Sequence, residues 1–122
     1  MAIDVTFLEQ DRQPPAYIAA LLADFLNAAR ASLHIAIYDF RLSDATAGLV
    51  VRALRDRAAA GLDVRIAYDA GKPNADFPGS GTDPAPPGTA DFVRRLGGAI
   101  QSKPITGGDP HMPKLMHHKY VV

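Results

Sequence analysis

SLHIAIYDF, Ser32 to Phe40, alternates strictly: Leu33, Ile35 and Ile37 point one way, and His34, Ala36 and Tyr38 the other. That period of two predicts a strand with one face in a core. Downstream, Ser43 or Asp44 can cap a helix whose apolar positions include Leu49, Val50, Ala53 and Leu54, with Arg52, Arg55, Asp56 and Arg57 turned to solvent. Gly61 ends it, and DVRIAYDA, Asp63 to Ala70, is a second strand. Strand, helix and strand joined by short connections predict a parallel pair with a right-handed crossover.

Upstream, a short extended opening, Val5 to Leu8, precedes Pro14-Pro15, a pair that suits the start of a helix. Ile18, Leu21, Leu22, Phe25 and Leu26 follow at helical spacing, to about Arg30. From 71 to 88 the chain turns rich in proline and glycine, as a long loop does. TADFVRRLGG is a short helix capped by Thr89 and closed by Gly97-Gly98, and AIQSK a short strand. A second loop, ITGGDPHMPK, leads to LMHHKYVV, Leu115 to Val122. The expected fold class is therefore α/β, one domain over 1–122. Its mixed or largely parallel sheet, flanked by helices, includes strands Leu33 to Phe40, Val64 to Asp69 and Leu115 to Val122.

Composition agrees with one core. The chain has 122 residues, 48% hydrophobic and 21% charged, which is globular and too short for two ordinary domains. Thirteen basic residues offset thirteen acidic ones, so no bulk positive field draws the chain to nucleic acid, and phosphate recognition must be local. The absence of cysteine excludes disulfides and thiolate metal sites. The first residues, MAIDVTFLEQDRQ, carry acids where a secretory signal has bases. No apolar run reaches the length of a membrane span. A soluble, cytoplasmic protein is expected, peripheral to a membrane if its substrate is lipid.

The chemistry concentrates in the last strand. Side chains two apart share a face, so His117 and Lys119 project together while His118 and Tyr120 oppose them. Imidazole can attack phosphorus or move a proton near neutral pH, and an ammonium holds phosphate oxygens. By residue type alone, the pair also reads as a histidine and lysine at a strand edge. The other candidates have plain structural readings. His111, His117 and His118 lack the carboxylate and orientation of a metal set, so no metal or cofactor is expected. GGDPHMPK can cradle a phosphate or form an ordinary turn. His34 reads as a structural histidine, Asp39 and Asp69 as strand-end carboxylates that either line a pocket or, more commonly, serve a turn or cap, and Arg94-Arg95 and RALRDR as solvated helix faces.

The order of these elements resembles the phospholipase D superfamily. The resemblance rests on SLHIAIYDF, ALRDRAAAG, LDVRIAYDAG, a variable loop and LMHHKYVV, and extends over most of the chain. The family signature is H-x-K-x4-D, with a G-S-x-N-like segment further on. His117 and Lys119 fit its first two places, and the aspartate would fall two residues past Val122. The resemblance implies the N-terminal half of a phospholipase D-like domain, incomplete at the C-terminus. His117 would be the nucleophile or its acid/base counterpart, and Lys119 would bind phosphate. A second H-x-K motif, from further chain or a homodimer partner, would face the first across the site. The implied reaction is phosphodiester hydrolysis or phosphatidyl transfer through phosphohistidine, without metal. Family members act on phospholipids, nucleic acids and other diesters, and the balanced charge tilts the expectation toward lipid or small diesters. Because the motif is incomplete, the isolated chain is expected to be inactive; the rival expectations are a non-catalytic, truncated or degenerate module and a nuclease of the same family.

Overall fold

A computed structural model describes residues 5–9, 11–70, 72–73, 81–82, 88–106 and 118–122. Helix α1 spans Pro15–Asn27, with Pro15 in its first turn, where its missing N–H costs nothing. Strand β1 follows at Ser32–Ile37, helix α2 at Asp44–Ala59 and strand β2 at Asp63–Asp69. Two-residue strands β3, Lys72–Pro73, and β4, Gly81–Thr82, form a small antiparallel ladder within the proline-rich stretch. Helix α3, Thr89–Arg95, leads to β5, Gln101–Ile105, and the chain closes with β6, Lys119–Val121.

The main sheet has the order β5-β2-β1-β6. β1 is parallel to β2 and β2 to β5, whereas β6 runs antiparallel along β1. The sheet is thus mixed and mostly parallel, in an α/β fold. Register explains the core. Leu33 sits beside Val64, Ile35 beside Ile66 and Ile37 beside Tyr68, so the two apolar rows merge on one face. Against that face pack Ala19, Ala23 and Leu26 of α1, Ala47, Val50, Ala53 and Leu54 of α2, and Phe92 and Val93 of α3, with Leu96 and Ile100 just beyond. Alanines on α1 and α2 let these two helices meet closely. Among the described residues, all three helices share this face, and the opposite one carries His34, Arg65, Gln101 and Lys103, all exposed.

Several boundaries differ from the sequence reading. α1 stops at Asn27 instead of near Arg30, and β1 stops at Ile37 instead of Phe40. The last difference has a cause: the Phe40 N–H leaves the ladder and donates to Thr89 Oγ1 at 3.1 Å. Thr89 is accordingly not the helix cap. Gly88 is, in a left-handed conformation (φ +87°), and Thr89 is buried as the first helical residue. Arg55 is not simply solvated: it donates to the carbonyls of Leu96 and Arg95 and ties α2 to the end of α3. Of the expected strand Leu115 to Val122, residues 115–117 lie outside the described residues.

Leu54 is wholly buried, whereas Leu49, on the same helix, is 44% exposed. Leu54→Ala is predicted to lower the unfolding free energy by about 2–5 kcal/mol, and Leu49→Ala by less than about 1 kcal/mol. Urea denaturation checks this, and equal losses would contradict the packing.

Candidate functional site

β6 enters the sheet antiparallel, so its first residue lies where β1 ends. Lys119 is the register partner of Ile37, the last residue of β1. The Tyr38 N–H donates to the His118 carbonyl at 2.8 Å, and at the far end His34 and Val122 exchange backbone hydrogen bonds of 2.6 and 2.9 Å. These bonds fix Lys119 at the carboxyl ends of the parallel strands, where open α/β sheets place their ligands. Directly paired residues share a face, so Lys119 lies on the helix-covered side with Ile37, and Tyr120 on the other side with Ala36. The alternation expected of Lys119 and Tyr120 is present.

The Lys119 ammonium lies 5.3 Å from the centroid of the Tyr38 ring, within cation–π range. Beside it is a recess of about 200 Å³, lined by Leu22, Leu26, Ile37, Phe40 and Val121. It combines an apolar wall with a cationic rim. His117, proposed from sequence to share the face of Lys119, lies outside the described residues, as do His111 and the GGDPHMPK tract.

The two strand-end aspartates differ. Asp39 accepts from Arg41 Nε at 3.1 Å and from Thr89 Oγ1 at 3.3 Å, a local turn clasped by α3. Phe40 next to it meets Phe92 edge-on, with ring centroids 4.9 Å apart. Asp69 is only 2% exposed, which a surface turn residue would not be. It closes β2, paired in register with Ile105. Sequence reading had no means to find the Thr89 contact, because the partners stand 49 and 50 residues away.

A second polar cluster lies on the uncovered face, at the opposite end of the strands. Asp63 accepts from Arg65 Nε at 2.8 Å, and His34 Nε2 lies 3.3 Å from its other oxygen. His34 thus has the structural partner expected of it. The partner was findable: laying DVRIAYD beside SLHIAI in parallel register puts Asp63 next to Ser32 and one diagonal from His34. The Arg65 hydrogen bond is the chief cause holding the Asp63 carboxyl below its ordinary value; desolvation opposes it, and His34 adds a smaller lowering. Among the described residues, no three histidine or carboxylate side chains gather as a metal ion requires, and no helix is long and apolar enough to cross a membrane.

No protein-family model matches the chain, and no curated protein matches it.

Because the Asp63 pKa is depressed in the folded state, its contribution to stability is present above the ordinary aspartate value and fades as pH falls through the folded one. An NMR titration is predicted to give Asp63 a midpoint below 3.8. Arg65→Gln should raise that midpoint more than His34→Gln does. An unchanged midpoint in Arg65→Gln would contradict the assignment.

Proposed function

We propose that the protein is a phospholipase D-like phosphodiesterase or phosphatidyltransferase in which His117 attacks phosphorus and Lys119 binds the phosphate oxygens. One observation carries this reading: Lys119, the described residue of H-x-K, lies at the carboxyl end of β1 beside Ile37 and borders an apolar recess.

In the proposed reaction the neutral imidazole of His117 forms a bond to phosphorus, and the bond from phosphorus to the leaving oxygen breaks. That oxygen takes a proton from a general acid, which the resemblance assigns to a second H-x-K histidine from further chain or a homodimer partner. Water, or an acceptor alcohol, then displaces the imidazole and gives up a proton in turn. Lys119 offsets the charge that builds on the non-bridging oxygens, an electrostatic role worth most where water is excluded. The apolar recess beside Lys119 favours a diester with an apolar substituent, in line with a lipid or small aromatic ester. A membrane-peripheral setting suits a lipid substrate.

The test is hydrolysis of bis-p-nitrophenyl phosphate in the presence of chelator, using the product of the whole reading frame. Turnover is expected without added metal. His117→Ala should reduce kcat by about a thousandfold or more, and Lys119→Ala by roughly a hundredfold. Turnover insensitive to His117→Ala, or abolished by the chelator, would overturn the proposal.

A further inference from the structure

Tyr38 and Lys119 meet although strand alternation alone would part them. Lys119 pairs in register with Ile37 and shares its helix-covered face. Tyr38, next in the chain, would fall on the opposite face with His34 and Ala36 if β1 continued. β1 stops at Ile37 instead, the chain bends at Tyr38, and the half-buried ring comes to 5.3 Å from the Lys119 ammonium.

The bend is fixed on both sides. The Tyr38 N–H donates to the His118 carbonyl at 2.8 Å, which ties it to the residue preceding Lys119. Beyond the bend, Thr89 Oγ1 accepts from the Phe40 N–H at 3.1 Å and donates to Asp39 at 3.3 Å, and the Phe40 ring meets Phe92 edge-on. The backbone carrying Tyr38 is therefore set by β6 and α3 together. Lys119 is exposed, and a lysine side chain is a flexible four-carbon stem with a strongly hydrated charge at its end. Such a stem gives up conformational freedom when its ammonium must hold one place over a ligand, and a contact that limits the stem beforehand reduces that loss. An aromatic face suits this better than a carboxylate. It attracts the cation through its quadrupole but adds no opposite charge, so the ammonium keeps its attraction for an anion. Asp39, the carboxylate next to Tyr38, is engaged by Arg41 and Thr89.

We propose that Tyr38 is a positioning residue, its ring holding the Lys119 ammonium at the carboxyl end of β1 in place for the oxygens of a bound phosphate. What Lys119 binds rests on the phosphodiesterase reading; that Tyr38 holds Lys119 does not. The role belongs to the face of the ring and not to the hydroxyl. It therefore survives Tyr38→Phe and is lost in Tyr38→Leu, or in a ring of the same shape whose face no longer attracts a cation.

The experiment takes two readouts on the product of the whole reading frame. The first is NMR with isotope-labelled lysine, the Lys119 signal being assigned by its loss in Lys119→Arg. Through the ring current, the Lys119 Hε protons are expected upfield in the unsubstituted protein and in Tyr38→Phe, relative to Tyr38→Leu. The same position in all three would overturn the proposal whatever the protein catalyses. The second readout is a titration with inorganic phosphate followed at that signal, together with kcat/KM for bis-p-nitrophenyl phosphate. Tyr38→Leu and Tyr38→pentafluorophenylalanine, whose fluorines reverse the quadrupole of the ring, should each weaken phosphate binding and lower kcat/KM by about two- to fivefold. Tyr38→Phe should keep both. In a Lys119→Ala background, Tyr38→Leu should lower kcat/KM no further, as a residue acting through Lys119 requires. The fluorinated ring keeps its shape, so it decides the matter if Tyr38→Leu does not fold. Equal phosphate affinity in all three variants would overturn the positioning role. So would an equal loss in Tyr38→Phe, which would move the role to the hydroxyl, or an undiminished effect of Tyr38→Leu without Lys119. A ring-current shift with no phosphate binding by the unsubstituted protein would overturn the phosphodiesterase reading, and the positioning role with it.

Discussion

The parallel register of β1 on β2 is the constraint on which the rest depends. With Leu33 beside Val64 and Ile35 beside Ile66, both apolar rows fall on one side of the sheet. Sliding either strand by one residue would send its apolar set to the opposite face. Because the rows coincide, α1, α2 and α3 share one core, and the opposite face carries His34, Arg65 and Lys103 together with Ala36, Ala67, Ile105 and Tyr120. One choice of register thus creates both a closed side and an open side.

The same register aligns the ends of the strands. β1 ends at Ile37, beside Tyr68, and β2 one residue later at Asp69, and an antiparallel β6 must begin where β1 finishes. Lys119 therefore reaches the carboxyl end of the sheet through topology, not through any special feature of its own. The turn beyond β1 is held by Thr89, which receives the Phe40 N–H and donates to Asp39. A buried N–H without that hydroxyl would cost about 1–3 kcal/mol. The hydroxyl is spared for this work because Gly88 adopts the left-handed conformation that begins α3 in its place.

Much of the fold was legible because its signals are local. Alternation in SLHIAI and DVRIAYD, and helical periodicity from Asp44 to Ala59, name three elements and their order. The parallel pairing followed from the short connections. What was not legible depends on partners far along the chain. Asp39 and Phe40 look like more strand until Thr89 captures them, and Arg55 looks solvated until it meets the carbonyls ending α3. Asp69 resembles a turn residue, yet it is buried. Of the candidate pair, Lys119 was placed correctly on a strand opposite in sense to Tyr120. That Tyr120, Ala36, Ala67 and Lys103 fall in one cross-strand row needed strand order as well as alternation.

The central claim is chemical: one imidazole, that of His117, carries the phosphoryl group. It is tested most directly by alkaline quench of the protein during turnover of a phosphodiester, followed by peptide mass spectrometry. The account predicts an acid-labile phosphoryl adduct on His117, present during turnover and lost once substrate is exhausted. Turnover with no adduct at His117, or with the adduct on another residue, would contradict it.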